Sequence, residues 1–407
     1  MLAEISAHLA AGRFRSAVAA AAQLQATRRF DPALIALPRL MGEALFAARL
    51  WLEAQPWLAD AAALEPWDAG LADRLEQCRL PAWLAPSWQD PHSGRRLRRH
   101  PPREGRAYSY TVDVVGTCNL RCPSCPVGNS PARPRGFMAP ALFGQILAKI
   151  RAESPDPAPR LTLYNWGEPL LHPELPRLIG MAHDAGFGVQ LSTNLNIRHG
   201  LEAVISAAPE ELKISLSGFT PQSYARSHRR GDLALVLANM REVRRLIDKH
   251  RVGTRVWIGH HIYRFNKDQI PAVAALAREL GFAHHPIDAF FMPLERLGDY
   301  LDGDPAADPG GIIPDLPLDP RQRQAALTGQ QDPDSDCELR YAQTVINHDG
   351  SLALCCSVYD QANMLGGNFL DLDHAEIQRR RYAHPFCGTC MAKRMHYAGR
   401  ALIDLTN

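Results

Sequence analysis

The sequence predicts a mixed α/β protein whose largest part is a partial, open (β/α)6 barrel. Between residues 107 and 302, short stretches rich in β-branched residues alternate with helical stretches, which is typical of βα units with parallel strands. Residues 1–90 are rich in Ala and Leu, and their apolar residues recur at helical spacing. Residues 337–407 contain five of the nine cysteines. These patterns predict an α-helical domain, the barrel and a small cysteine-rich domain, in that order.

Six strands and five helices are predicted within the barrel. The candidate strands are Thr111–Val115, Leu161–Trp166, Val189–Thr193, Lys213–Leu216, Arg255–His261 and Pro286–Phe291. The helical stretches lie near residues 139–152, 174–186, 199–208, 232–250 and 268–280. Six βα units are too few for a closed eight-stranded barrel, so an open one is expected.

Two connectors flank the barrel. Residues 91–106 carry six arginines and several prolines, which predicts a basic, solvated linker, with contact to a phosphate or an acidic partner as the alternative. Residues 303–336 are rich in Asp, Pro, Gly and Gln, which predicts a flexible linker.

The stretch from Gly42 to Pro66 resembles a tetratricopeptide repeat (TPR). Gly42, Ala54, Ala61 and Pro66 fall where that repeat places small residues and its terminal proline. A short array of such repeats is marginally stable alone, so this TPR-like region is expected to dock on the rest of the chain. The resemblance implies either a surface that binds a protein partner or a helical cap on the catalytic domain.

The composition excludes several classes of protein. A hydrophobic content of 46% and a charged content of 22% are ordinary for a globular domain, and a net charge of +2 gives no attraction to nucleic acid or an anionic membrane. There is no apolar run of the ~18 residues that spanning a bilayer requires. The N-terminus has no signal-peptide pattern. We therefore expect a cytoplasmic protein without nucleic-acid or membrane partners.

The first group of cysteines comes directly after the first predicted strand. In a reducing cytoplasm, clustered cysteines indicate metal ligands rather than disulfides. Cys118, Cys122 and Cys125 have the spacing C-x3-C-x2-C, and three thiolates this close can bind three corners of a cuboidal iron–sulfur cluster. Three protein ligands leave one iron open to bind another molecule. A zinc site or a structural cluster is the alternative. Cys78 lies in the helical region and is expected in its core.

This three-cysteine loop resembles that of the radical SAM superfamily, named for S-adenosylmethionine (SAM). The resemblance implies that the open iron of a [4Fe–4S] cluster binds the methionine part of SAM. A reductant such as flavodoxin or ferredoxin then drives cleavage of SAM to a 5′-deoxyadenosyl radical, which takes a hydrogen atom from the substrate. The cofactors carry the chemistry, while the protein orients them and excludes competing reactions.

Three further motifs support the resemblance, each at the end of a predicted strand. The segment 165–169 (NWGEP) matches the family's GGEP element with Trp166 in place of the first glycine, 192–194 (STN) is similar to the TNG element, and 215–218 (SLSG) lies where the family has polar groups near the SAM ribose. Parallel barrels have their active sites at this end of the strands. The SAM contacts that the resemblance implies are Gly167, Glu168, Pro169, Ser192, Asn194, Ser215 and Ser217.

The second group of cysteines lies near the C-terminus. A predicted hairpin turn over 347–350 separates Cys337 from Cys355, and Cys387 and Cys390 form C-x2-C. Four such thiolates can fully ligate a second cluster or a zinc ion. The pattern resembles the SPASM/Twitch extension of radical SAM enzymes in its short Twitch form. It implies that Cys337, Cys355, Cys387 and Cys390 bind an auxiliary [4Fe–4S] cluster.

Cys356 and several histidines are the remaining candidates. Cys356 is either a bystander thiol or a hydrogen-atom donor to a substrate radical, as an epimerase requires. His260 and His261 end one predicted strand, and His284 and His285 begin the next. A histidine at the end of a barrel strand can act as a general base, and the alternative for each is a polar loop or core residue.

These features predict a radical SAM oxidoreductase. It would dehydrogenate a carbon centre of a polar small molecule, sugar or peptide, with the auxiliary cluster as electron acceptor. One alternative is a redox-neutral epimerase that uses Cys356. A second alternative is a non-catalytic iron–sulfur scaffold whose main activity lies in the helical region.

Overall fold

A computed structural model describes residues 2–27, 33–48, 51–78, 87–99, 108–130, 135–156, 159–329 and 332–398. The chain divides into two compact units. The first comprises Met1–Trp88 and Pro155–Pro157, and the second comprises Gln89–Ser154 and Ala158–Asn407. None of the helices in the described ranges is both long and apolar enough to cross a membrane.

The first unit is helical. Its helices are α1 (Leu2–Ala10), α2 (Phe14–Thr27), α3 (Ala33–Ala47), α4 (Trp51–Leu64) and α5 (Ala69–Cys78). Small residues let α3 and α4 pack closely, because a Cβ added to Gly42 would lie 2.9 Å from Leu58 Cδ2, and Ala54 and Ala61 are buried. Cys78 is fully buried in the core of this unit.

The strands of the chain are β1 (Ser87–Gln89), β2 (Arg96–Arg98), β3 (Ser109–Val112), β4 (Arg160–Thr162), β5 (Val189–Thr193), β6 (Glu211–Ser215), β7 (Arg255–Ile262), β8 (Ala283–Asp288), β9 (Gln343–Ile346), β10 (Ser351–Ala353) and β11 (Met364–Asn368). The helices of the second unit are α6 (Pro126–Asn129), α7 (Pro140–Glu153), α8 (Leu175–Asp184), α9 (Leu201–Ser206), α10 (Pro221–Ser227), α11 (Leu233–His250), α12 (Ile270–Leu280), α13 (Leu294–Asp302), α14 (Pro320–Gly329), α15 (Glu338–Tyr341), α16 (His374–Ala383) and α17 (Pro385–Ala392).

The second unit is built on one nine-stranded sheet in the order β11-β10-β9-β3-β4-β5-β6-β7-β8. Strands β3 to β8 are parallel neighbours in chain order. The mixed α/β fold with a parallel sheet is therefore confirmed. Each of the six predicted strands has a counterpart, although β3 and β4 end earlier than expected, at Val112 and Thr162.

The cysteine-rich segment continues this sheet and does not form a separate unit. Strand β9 pairs in parallel with β3, and β10 pairs antiparallel with both β9 and β11. The expected hairpin turn between β9 and β10 is present, and Asn347 N donates to Ser351 O at 2.8 Å. The expectation of a distinct small domain over 337–407 differs from this arrangement, because pairing with β3 ties the segment to the barrel.

The expectation of a flexible linker over 303–336 also differs from the structure. This stretch contains helix α14, and Ile312 and Leu316 are each only 1% exposed in a core shared with Phe291 and Leu297. Apolar residues that lie between the prolines and glycines of this stretch provide the packing. The high content of Asp, Pro, Gly and Gln had hidden them from a prediction based on composition.

The basic connector forms ion pairs with acidic residues of the same chain. Arg98 pairs with Asp332 at 2.6 Å, and Arg99 is buried and pairs with Asp336 at 3.0 Å. The described part of the connector is therefore not simply a solvated linker, because its charges are neutralised by the acidic end of 303–336. Residues 100–107 lie outside the described ranges.

Candidate functional site

A cavity of about 360 Å³ lies in the second unit, against the parallel strands β3 to β7. Side chains alternate between the two faces of a strand, and residues at alternate positions of β3, β4, β5 and β6 face this cavity. On β6, Lys213 and Ser215 line the cavity, while Leu212 and Ile214 are fully buried in the surrounding core. Polar side chains from the strands and apolar side chains such as Leu120, Phe290 and Met292 thus line the cavity together.

The three cysteines of the first group line this cavity together. They occupy the loop between β3 and α6 and are half-buried. Cys118 Sγ accepts hydrogen bonds from Leu120 N at 3.4 Å and from Asn194 Nδ2 at 3.5 Å. Burial raises the pKa of Cys118 to about 12 and raises those of Cys122 and Cys125, so burial by itself favours the neutral thiols.

The loop that carries Gly167 is held by a carboxylate that the sequence reasoning missed. Asp113 accepts hydrogen bonds from the backbone N–H groups of Asn165, Trp166 and Gly167 at 3.0 to 3.3 Å. Burial raises the pKa of Asp113 to about 6 despite these bonds. The sequence does point to this residue, because an Asp inside the apolar stretch 111–115 requires hydrogen-bond donors when it is buried.

Gly167 itself is required by close packing. A Cβ at this position would lie 1.7 Å from Val115 O, so no side chain fits. The neighbouring Trp166 donates from its indole Nε1 to Val358 O at 3.2 Å and packs edge-on against Tyr359. The indole of Trp166 therefore joins this loop to the segment after Cys356.

Glu168 lies at the centre of the hydrogen bonds between these loops. It is 2% exposed and accepts from Thr193 Oγ1 and Asn194 N, both at 2.7 Å, and from Leu170 N at 3.0 Å. Burial raises its pKa to about 7. A buried carboxylate near neutrality at a cavity wall is well suited to pair with a ligand cation.

The predicted SAM-contact residues are brought together with one exception. Pro169 is buried as the first residue of the 3-10 turn Pro169–Leu171 and does not line the cavity. The residues from this group that line the cavity are Gly167, Glu168, Ser192, Asn194, Ser215 and Ser217.

Lys213 is a second residue that the sequence reasoning missed. It lines the cavity, and its Nζ lies 5.0 Å from the centre of the Trp257 ring. A Cβ on Gly259 would lie 2.9 Å from Lys213 Cε, so the glycine makes room for the lysine stem. Burial lowers the pKa of Lys213 to about 8. Its spacing of two from Ser215 would have indicated that it shares a face with that residue.

The candidate histidines separate into two groups. His261 lines the cavity, where burial lowers its pKa to about 3, so it is neutral at physiological pH. His260 faces the other side of β7 and lies 3.2 Å from His284 through their ring nitrogens. His284 and His285 lie on β8 and do not line the cavity.

The second group of cysteines lines a separate, smaller cavity. Cys337, Cys355, Cys387 and Cys390 all contribute to its wall, together with Arg340. Burial raises the pKa of each of these thiols. In contrast, Cys356 lines the large cavity, so two consecutive residues face different sites.

Both cysteine groups fit iron–sulfur clusters in their donor chemistry. Within the described ranges, no group of three or more His, Cys, Asp or Glu side chains is close enough to bind a single metal ion together. A cuboidal cluster takes one thiolate per iron, so its ligands need not converge on one point. At the smaller cavity, the Arg340 Nε–H has no hydrogen-bond partner among the described residues and can donate to a sulfur.

Part of the chain matches a known protein family. Residues 112–277 match the family model of the radical SAM superfamily. GTP 3',8-cyclase of Chlorobaculum tepidum is 25% identical over 213 residues, which are 49% of this chain and 57% of that protein. 7,8-Dihydro-6-hydroxymethylpterin dimethyltransferase of Methanocaldococcus jannaschii is 38% identical over 87 residues, which are 20% of this chain and 16% of that protein. The chain therefore matches only part of the length of these relatives.

One solved structure is similar over most of both chains. Streptococcus suis SuiB bound to S-adenosylmethionine has a TM-score of 0.51 and 14% identity, and the match covers 86% of this chain and 83% of that chain. At this identity the likeness concerns the fold, a mixed α/β architecture with a parallel sheet.

Proposed function

We propose that this chain, whose residues 112–277 match the family model of the radical SAM superfamily, is a radical SAM oxidoreductase. It cleaves SAM reductively and dehydrogenates a carbon centre of a polar small molecule, sugar or peptide, with an auxiliary [4Fe–4S] cluster as electron acceptor. The position of two adjacent residues carries the proposal, because Cys355 lines the smaller cavity and Cys356 lines the larger one. An auxiliary-cluster ligand thus adjoins the substrate cavity.

The first cysteine group and the strand ends around it would hold the cluster and SAM. When bound, these groups supply the 5′-deoxyadenosyl radical that takes a hydrogen atom from the substrate. Glu168, once ionised, pairs with the SAM ammonium, and Asp113 keeps the loop of Gly167 in the conformation that lets the backbone approach the ligand. Ser192, Asn194, Ser215 and Ser217 offer polar contacts from the other strand ends.

Lys213 is the group in the cavity best suited to accept a proton. Its pKa of about 8 gives a substantial neutral fraction near physiological pH, whereas neutral His261 with a pKa of about 3 is a weak base. After hydrogen-atom loss from a carbon that bears a hydroxyl, the Lys213 amine takes the hydroxyl proton. The remaining electron leaves toward the second cysteine group, and a carbonyl remains.

The cavity lining supports a polar substrate. Gln190, Gln343, Thr162 and Tyr164 add hydrogen-bonding groups to the wall that contains Lys213. The same lining accepts a sugar-like molecule or a peptide side chain. A flavodoxin or ferredoxin supplies the electron for SAM cleavage, and the TPR-like helical unit offers a surface for a protein partner.

Anaerobic reconstitution with iron, sulfide, SAM and dithionite tests the enzymatic proposal. The expected product is 5′-deoxyadenosine, and Cys118→Ser should abolish it. If the protein carries its full iron content but releases no 5′-deoxyadenosine, the enzymatic proposal fails and the scaffold alternative takes its place.

Lys213→Met tests the proton transfer. With a substrate found among cyclitols, aminoglycosides or peptides, we expect oxidised product to fall by about 100-fold or more, while 5′-deoxyadenosine still forms. The rate of the unchanged enzyme should rise with pH up to about 8, and this dependence should disappear in the variant. Retention of both rate and pH dependence would assign the proton to another group.

Epimerisation is the second candidate because of Cys356. Its thiol lines the cavity, and burial raises its pKa, so it keeps the S–H bond that hydrogen-atom donation requires. In this case the product carries one solvent deuterium in D2O, and Cys356→Ala loses turnover. Full activity of Cys356→Ala, without deuterium in the normal product, would eliminate epimerisation.

A further inference from the structure

Two arginines are buried beside the second cysteine group. The Arg340 side chain is 3% exposed and lies in α15, three residues after Cys337, on the wall of the smaller cavity. Arg381 lies in α16 and is 1% exposed. A charged group in such surroundings is strongly unfavourable unless other groups compensate it, so the partners of both side chains need to be identified.

The partners of Arg340 satisfy only part of its guanidinium. Nη2 donates to Asp90 Oδ1 at 2.9 Å, and Nη1 donates to Asp336 Oδ1 at 3.3 Å. The guanidinium also lies 4.0 Å from the centre of the Tyr382 ring. Its Nε–H has no acceptor in the described part of the chain. One strong donor therefore remains on a residue that shares a cavity with four cysteines.

Arg381 has backbone acceptors but no carboxylate. Nε donates to Leu354 O at 3.0 Å, and Nη1 donates to Arg340 O at 3.0 Å and Gln343 O at 2.5 Å. Nη2 lacks an acceptor, and no Asp or Glu within the described ranges pairs with this side chain. Leu354 immediately precedes Cys355, so this cation is hydrogen-bonded to the residue next to a proposed cluster ligand, just after β10.

The geometry places both arginines against the second cysteine group. Arg340 lines the smaller cavity together with the four cysteines, and Arg381 donates to the carbonyl of Leu354, a residue that lines the same cavity. Both guanidinium groups are buried, so solvent screens their charges only weakly. A negatively charged group bound in this cavity would therefore be stabilised by both cations.

We propose that Arg340 and Arg381 are positioning residues that supply the counter-charge for a four-thiolate iron–sulfur cluster at Cys337, Cys355, Cys387 and Cys390, and that they raise its reduction potential. This inference rests on the auxiliary cluster of the proposed function. Four thiolates make such a cluster anionic, and accepting an electron increases its negative charge. Fixed positive charges and N–H donors to sulfur stabilise the reduced form, because net charge and hydrogen bonds to the sulfurs set the potential.

The test uses a protein in which only the second cluster can form. The full-length chain with Cys118→Ser, Cys122→Ser and Cys125→Ser is reconstituted with iron and sulfide, and its potential is measured by redox titration followed by electron paramagnetic resonance. Arg340→Gln and Arg381→Gln are compared with Arg379→Gln. The control lies on the same helix as Arg381, but its side chain is 68% exposed and pairs with Glu376.

We expect Arg340→Gln and Arg381→Gln each to lower the reduction equilibrium constant at least about tenfold, which is about 59 mV for one electron. Arg379→Gln should leave it unchanged, because solvent screens an exposed charge. Arg340→Lys and Arg381→Lys retain the charge without the guanidinium donors and should give smaller shifts. If Arg381→Gln does not fold, the reduction potentials of Arg381→Lys, Arg340→Gln and Arg340→Lys test the proposal.

Two negative results have different meanings. A four-iron cluster whose potential matches that of Arg379→Gln in all the folded Arg340 and Arg381 variants would overturn this inference alone. The absence of any cluster from the folded triple-serine protein would overturn both the inference and the electron-acceptor part of the proposed function, while 5′-deoxyadenosine formation by the unmodified chain would still stand.

Discussion

At the scale of single residues, burial and hydrogen bonding decide the chemistry of the large cavity. Glu168 accepts three hydrogen bonds that favour its ionised form, but its desolvation is the larger effect, and the pKa rises to about 7. The pKa of Lys213 changes in the opposite direction and falls to about 8, because desolvation disfavours its cation. Both groups can therefore change protonation state near neutral pH.

The pKa of Glu168 predicts how SAM binding depends on pH. In the proposed function the SAM ammonium pairs with the ionised carboxylate, so below about pH 7 binding must displace a proton and the affinity should fall by up to about tenfold per pH unit. Above that pH the affinity should be constant. Titration of SAM into the reconstituted protein between about pH 6 and pH 8 measures this dependence. Glu168→Gln should bind more weakly with no such dependence, and an equal dependence in this variant would assign it to another group.

The packing of Gly167 predicts a large effect of a single methyl group. Gly167→Ala places a Cβ 1.7 Å from Val115 O, so the backbone must move, which should cost about 1–3 kcal/mol or more and abolish SAM binding. Gly180→Ala is the matched control, since no atom lies within 4 Å of its added Cβ and alanine favours helix α8 by up to about 1 kcal/mol. Thermal unfolding and SAM titration measure both variants. Equal stability of the two would contradict the close approach.

At the scale of secondary-structure elements, the sites depend on the loops that connect each strand to the next helix. Alternation in 211–217 was sufficient to predict that Ser215 and Ser217 share a face, and the same rule applies to Lys213. The alternation of residues could not predict that β3 and β4 end before Val115 and Trp166, where the predicted strands end. The Asp113 carboxylate accepts hydrogen bonds from backbone N–H groups of the segment after β4, where no strand–strand hydrogen bonds form. These bonds join residues about fifty positions apart in the sequence.

Asp113→Ala tests this connection between elements. Three backbone N–H groups would lose their acceptor at a cost of about 1–3 kcal/mol for each one that stays buried, so the segment 165–167 should rearrange. SAM binding should be lost, while far-ultraviolet circular dichroism stays close to that of the unchanged protein. Asp184→Asn, an exposed change at the end of α8, serves as the control. Normal SAM affinity in Asp113→Ala would show that this carboxylate does not hold the loop for ligand binding.

At the scale of the whole molecule, the chain consists of a helical unit and a second unit with two cysteine-lined cavities. The cysteine-rich segment continues the barrel sheet through β9, which brings the second cavity close to the first. This continuity explains how consecutive residues, Cys355 and Cys356, serve different sites.

Iron content should respond separately to the two cysteine groups. Cys387→Ser should lower the iron by about four atoms per chain and leave reductive SAM cleavage in place, since the other cavity is untouched. Cys118→Ser should lower the iron content by a similar amount and abolish reductive SAM cleavage. Iron analysis and 5′-deoxyadenosine release measure the two effects. Loss of all iron in either variant would contradict two independent clusters.

The sequence by itself determined the features that depend on local spacing. These are the α/β alternation, the three-cysteine loop after the first strand and the polar residues at the strand ends, because residues a few positions apart share one loop or one strand face. Only the tertiary structure decided that Pro169 lies outside the cavity, that Asp113 holds Gly167, and that Arg340 and Arg381 lie beside the second cysteine group. These contacts join segments far apart in sequence, and they depend on how the sheet orders its strands.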